Sequence, residues 1–258
     1  MAAVLVAGIA AGTINTVVGS GTLITFPTLI ALGVPPVTAN VSNTVGLAPG
    51  SLSGAIGYRR ELAGQRGRLL RLGAASVLGG INGAFLLLRL PHGAFDAIVP
   101  ALIILGCVLV VVQPLISRRV TARGVAQPDR DLDGTDSRAK EKPWVWLSVY
   151  GTGVYGGYFG AAQGVILMGV LGIGLSQSMQ RNNAAKNVLA MLVNGVAAVV
   201  FVIVAHVYWL VALLIAVGSV IGGQLGATVG RRLSPLLLRM VIVAVGIVAV
   251  VVFLRGGA

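Results

Sequence analysis

Apolar residues in this chain come in runs rather than in alternation. Leu69 to Leu90, Ala94 to Ile116, Ala184 to Ala205, Val207 to Val229 and Leu236 to Leu254 each approach the roughly 20 residues an α-helix needs to cross a bilayer. Period-two stretches that would favour strands hardly occur. Pro36 to Gly57 is another run of spanning length, and Ala2 to Val18 is a first apolar segment. Thr22 to Gly33 is shorter, covering about 18 Å at a helical rise of about 1.5 Å per residue, and Pro27 interrupts it. Such a segment fits a discontinuous or re-entrant helix. The pattern predicts an all-α membrane protein.

The runs also repeat. "SVLGGINGAFLLLRL" from Ser76 overlies "SVIGGQLGATVGRRL" from Ser219, 143 residues later. The same spacing places Gly8 on Gly151, Gly21 on Gly164, Leu32 on Leu175, Asn40 on Asn183 and Val45 on Val188. The chain is read as a duplicated unit, with a first transmembrane repeat at 1–117, a linker at 118–143 and a second repeat at 144–258. The linker is mixed in charge, poor in apolar residues and broken by Pro128 and Gly134, and reads as a solvated spacer.

Loop charge orients the halves. Tyr58 to Arg71 carries Arg59, Arg60, Arg66, Arg68 and Arg71 against Glu61 alone, which with the linker marks the cytoplasmic side. Its repeat equivalent, Phe201 to Leu214, has no formal charge. Conversely, the turn from Arg89 to Asp96 is nearly balanced, while its equivalent holds Arg231, Arg232 and, just beyond, Arg239. The halves are therefore expected to point in opposite directions. Inverted repeats of this kind build many secondary transporters, whose site lies near the midplane.

Composition agrees. Hydrophobic residues make up 56% of the 258 and charged residues only 10%, against the roughly 25% charged of soluble domains; mean hydropathy is +0.94. A net charge of +12 would point to nucleic acid in a soluble protein, but here the basic residues sit in loops, so no nucleic-acid partner is expected. Cys107 is the only cysteine, which excludes an intramolecular disulfide and a cysteine metal site. His92 and His206 lie in separate short turns and are too isolated for a metal; no metal and no cofactor is expected. Trp144, Trp146, Tyr208 and Trp209 fall at span ends, as interfacial anchors do. The opening "MAAVLVAGIAAG" lacks the basic n-region of a signal peptide and has a counterpart in the second half.

The candidate chemistry gathers around the short segment Thr22 to Gly33 and its equally short partner in the second half, Val165 to Leu175. Each follows a small, polar break, "GSGT" with Ser20, Gly21 and Thr22, and "AAQG" with Gln163 and Gly164. A helix start presents unpaired N–H groups and the positive end of the helix dipole, which together favour an anion. After each short segment comes an unusually polar one. Asn40, Ser42, Asn43 and Thr44 lie in the first half, and Asn183, Lys186 and Asn187 share one helical face in the second. At the repeat spacing Lys186 falls on Asn43. None of the seven carboxylates is expected deep in a span; Asp129, Asp131, Asp133, Asp136 and Glu141 are in the linker, Glu61 in a loop and Asp96 in the turn from Arg89, at the very start of the Ala94 to Ile116 run. A polar interior that is positive at Lys186 fits an anionic substrate, with headgroup snorkelling of Lys186 as the rival reading.

These residues resemble the TauE/SafE family, the sulfite exporter-like anion permeases. The likeness rests on "TVVGSGTLITFPTLIALGVPPVTANVSNTVG", with Gly19, Gly21, Pro27, Gly33, Pro35, Ala39 and Ser42 in place, and on its counterpart "GYFGAAQGVILMGVLGIGLSQSMQRNNAAKNVL". It spans nearly the whole chain outside the linker. The family's glycine triplet is Gly-Ser-Gly here and Ala-Gln-Gly in the second half, where no proline follows the short helix. The resemblance implies a multi-pass permease of the plasma membrane for sulfur-containing or organic anions such as sulfite, thiosulfate, sulfonates or sulfoacetate. Its partners would be the small anion and lipid, with a homodimer left open. A passive channel or structural membrane subunit is the alternative, and an intramembrane hydrolase using Ser20 and Lys186 a remote one.

Overall fold

The computed structural model describes residues 1–125, 141–175, 177–229 and 235–256. All regular structure among them is α-helical. The first half holds α1 (Ala2–Val17), α2 (Thr22–Ala31), α3 (Pro36–Gly57), α4 (Arg66–Arg89) and α5 (His92–Val125). The second holds α6 (Pro143–Tyr158), α7 (Gln163–Gly174), α8 (Met179–Val204), α9 (Trp209–Thr228) and α10 (Pro235–Gly256). Arg66–Arg89, Gly93–Leu115, Met179–Val204 and Trp209–Thr228 are long and apolar enough to cross a membrane. Helix α5 runs past 118, the expected start of the linker, to Val125. Most of the linker, and Arg231 and Arg232, lie outside the described residues.

Local sequence explains the element ends. Pro36 opens α3 and Pro143 opens α6, where the missing N–H costs nothing. Ser178 caps α8 by accepting from the Arg181 N–H at 3.4 Å. Helices α1 and α6 both end in a glycine turned into the left-handed region, Gly19 at φ +87° and Gly160 at φ +77°. Each break then leads into a short helix of 10 or 12 residues.

The packing crosses the halves. Helix α1 lies against α9, and α6 against α4, through seams of small residues. A methyl on Gly222 would stand 2.1 Å from the Ile9 carbonyl oxygen, and one on Gly83 2.1 Å from that of Val154, so neither seam admits a side chain. Helix α3 packs on α9 as α8 packs on α4, and α10 covers α2 as α5 covers α7. Two bundles result. One holds α1, α2, α3, α9 and α10, the other α4 to α8, and they meet chiefly along α3 and α8, with α5 against α10 at the side. Each half of the sequence thus lends its last two helices to the other bundle.

Candidate functional site

The two helix breaks meet at the centre. The Gly164 N–H donates to the Gly19 carbonyl at 3.0 Å. A methyl on Gly19 would lie 2.3 Å from Gly164 Cα, and one on Gly164 2.4 Å from Gly19 Cα. Around this contact are α3 and α8. Asn40 donates from Nδ2 to the Tyr158 carbonyl at 2.8 Å, tying α3 to the end of α6. Ser51 accepts from Asn194 at 2.8 Å and from Asn15 at 3.3 Å. Ser51 and Asn194 are 143 residues apart, so positions equivalent in the repeat touch one another.

The two starts differ in how their N–H groups are used. At α7, Gln163 donates to the Gly160 carbonyl at 3.3 Å, Gly164 to Gly19, and Val165 to the Ala162 carbonyl at 3.0 Å. At α2, among the described residues, the N–H groups of Ser20, Gly21 and Thr22 reach no acceptor. The Ser20 hydroxyl is fully buried and also without a partner. Unspent buried donors are rare because each carries an uncompensated desolvation cost. Here they stand together at the positive end of a helix dipole. Gly21 brings this start close to α1, since a methyl there would lie 2.6 Å from the Ala11 carbonyl oxygen.

The expected site residues take unequal parts. Ser20, Gly21 and Thr22 form the open start. Asn43 serves the fold of α2: its Nδ2 donates to the Thr22 hydroxyl at 3.3 Å, and its Oδ1 accepts from the Thr25 hydroxyl. Asn40 keeps an unpartnered Oδ1, as does Asn183 on α8. Gln163 is buried with Nε2 unpartnered, and its side chain fills the space above Gly156, where a methyl would come within 2.4 Å of Cδ. Gly164 is the contact with Gly19.

Lys186 neither snorkels nor lies free. Its side chain is fully buried, and its ammonium donates to the carbonyls of Thr16 at 3.0 Å and Asn15 at 3.3 Å, in the last turn of α1. Asn187 donates from Nδ2 to the same Thr16 carbonyl at 3.3 Å. A cation at a helix C-terminus meets the negative end of its dipole and the carbonyls the helix leaves unpaired. Snorkelling is thereby corrected, because the lysine points to the interior and not to headgroups. Asn15, Thr16, Thr25, Ser51 and Asn194 were not singled out from the sequence. Ser51 and Asn194 were accessible through the repeat register; Asn15 and Thr16 act through backbone oxygens, which leave no mark in a sequence.

Two features frame the centre. A cavity of about 430 Å³ lies at the start of α3, lined by Thr38, Val41, Asp96 and His206 among others. At the opposite end of α4, Glu141 is held by Arg71 through two bonds of 2.7 Å and by Arg68 at 3.3 Å. Burial, the largest single influence, would raise the Glu141 carboxyl, but the Arg71 hydrogen bonds, a backbone hydrogen bond and the charges of Arg71 and Arg68 together outweigh it and hold the group below its ordinary value. Among the described residues no group of His, Cys, Asp and Glu could hold a metal ion.

Comparison with known proteins sharpens the reading. The family model described as "Sulfite exporter TauE/SafE" matches residues 4–253. A "Probable membrane transporter protein YfcA" of Escherichia coli (strain K12) is 25% identical over 246 residues, covering 92% of this chain and 83% of that protein. A "Probable membrane transporter protein ORF9" of Sinorhizobium sp is 25% identical over 253 residues, covering 96% and 89%. A further probable membrane transporter, from Haemophilus influenzae, is 23% identical over 239 residues, covering 92% and 87%. No solved structure matches the chain. With a match over nearly its whole length and several helices apolar enough to span a bilayer, the chain belongs to the sulfite exporter TauE/SafE family and is a multi-pass membrane transporter.

Proposed function

We propose that the protein is a permease of the plasma membrane for small oxyanions, of the class of sulfite, thiosulfate, sulfonates or sulfoacetate, and that the anion binds at the start of α2. One observation carries this reading: at three successive buried residues, Ser20, Gly21 and Thr22, the N–H groups, and with them the Ser20 hydroxyl, have no acceptor. An anion would supply the missing lone pairs and gain from the dipole of α2. Gln163 Nε2 would add a neutral donor from the second half. The two halves are inverted in this reading, with the linker cytoplasmic, and the bundles that rock are the two crossed ones rather than the halves themselves.

Uptake of radiolabelled sulfite and thiosulfate into liposomes holding the purified protein tests it. Saturable uptake, stimulated by the unlabelled anion inside, is expected for a carrier and distinguishes it from a channel. Ser20→Ala should lower that uptake about tenfold, the loss of roughly 1.4 kcal/mol expected for one hydrogen bond to a charged group. Uptake indistinguishable between Ser20→Ala and the unsubstituted protein would remove the α2 start as the site.

A further inference from the structure

Lys186 occupies an environment built for a cation. Its ammonium rests on two backbone carbonyls, Asn15 and Thr16, at the end of a helix that breaks three residues later at Gly19. Asn187 donates to one of those carbonyls. No carboxylate bonds to Lys186: among the described residues Asp96 lies in α5, half-buried at the cavity beside the start of α3, and Glu61 and Glu141 lie outside the helices. The end of a discontinuous helix, with its carbonyls turned to a cavity or an ion, is the donor set with which broken-helix transporters hold a coupling cation. Here the cation is covalently attached. The repeat supports this reading, because Asn43 at the equivalent position is neutral and bonds to hydroxyl groups of α2. The register itself therefore needs a polar side chain, and the charge is specific to the α1 end.

Lys186 also joins the two bundles. It stands on α8 in one, while Asn15 and Thr16 end α1 in the other. A cation between them neutralises the dipole of α1 at the place where the anion-favouring start of α2 follows within a few residues.

We propose that Lys186 is a tethered cation that fills a monovalent-cation site at the C-terminal end of α1, so that this transporter uses its own ammonium where a free Na⁺ would otherwise bind. This rests on the transporter assignment and not on the identity of the anion.

The experiment compares melting temperatures of the purified full-length protein in choline chloride, sodium chloride and ethylammonium chloride. The unsubstituted protein should melt alike in all three. Lys186→Ala should melt lower in choline and recover by roughly 3–6 °C, saturably, in Na⁺ or ethylammonium at about tenfold its dissociation constant. A variant that melts alike in all three salts overturns the proposal, because no cation site was vacated. So does an equal Na⁺ response in the unsubstituted protein, because the site was not filled. Should Lys186→Ala fail to accumulate, Lys186→Gln decides, since its amide keeps a hydrogen-bond donor without the charge. Reduced stability of that variant supports the tethered cation, and stability equal to the unsubstituted protein overturns it. Because anion uptake is not the readout, failure here is distinct from failure of the α2 site.

Discussion

The starts of α2 and α7 occupy equivalent places in the two halves, yet one is open and the other closed. Both follow a helix that ends in a left-handed glycine, and both are buried. At α7 the first N–H groups are spent on Gly160, Gly19 and Ala162. At α2 those of Ser20, Gly21 and Thr22 are unspent, and the hydroxyl of Ser20 with them. The difference arises where the breaks touch, because the Gly19 carbonyl accepts from Gly164 and nothing returns the bond. The chain thus has two similar helix starts, and their contact uses the N–H groups of one while those of the other stay unspent.

The largest effect should come from separating the two breaks. Gly19→Ala puts a methyl 2.3 Å from Gly164 Cα at a φ of +87°. Overpacking against backbone and the left-handed conformation together should cost about 3–5 kcal/mol, seen as lost yield and a lowered melting temperature. Gly164→Ala meets Gly19 Cα at 2.4 Å without the unfavourable φ, and should be the milder of the two. Equal losses would mean that the backbone conformation at Gly19 contributes nothing.

Next comes the open start. Ser20→Ala, besides lowering uptake, should leave the melting temperature unchanged or raise it, because a buried hydroxyl without a partner is removed. A fall in both would place Ser20 among the structural residues. Gln163→Ala should lower uptake by no more than about threefold, since a neutral donor to one face of the anion contributes less than a dipole-aligned start. A loss as large as that of Ser20→Ala would erase the contrast between the two starts.

The smallest effect lies outside both and calibrates them. Burial opposes ionisation of Glu141, and the hydrogen bonds it accepts together with the charges of Arg71 and Arg68 more than offset it, so its folded pKa is lowered. A lowered carboxyl stabilises the fold above the unfolded value and loses that contribution as pH falls through the folded one. Melting temperature should thus decline as pH drops below the ordinary carboxyl value of 4.5, and Glu141→Gln should remove that part of the decline. Uptake at neutral pH should be the same in both.

Much of the architecture is legible in the sequence. Pro36 and Pro143 mark helix starts, Gly19 and Gly160 mark ends, and the short apolar runs around Pro27 and Val165 become α2 and α7. Asn40, Asn43, Asn183, Lys186 and Asn187 were legible as interior residues, since polar side chains amid apolar runs avoid lipid. Their partners were not. Asn43, an expected site residue, bonds to Thr22 and Thr25 of α2. The partners of Lys186 are two backbone carbonyls, those of Asn15 and Thr16.

The sequence by itself determined the helical class, the two places where short helices follow a break, and the family, because apolar run length, glycine and proline act locally and leave their signal in neighbouring residues. Tertiary structure alone decided that each half packs its fourth helix against the first of the other, that α7 is closed while α2 stays open, and that Lys186 ends α1. Those outcomes turn on carbonyl and N–H groups, which every residue but proline carries alike. Only the approach of one backbone to another determines which of them are spent.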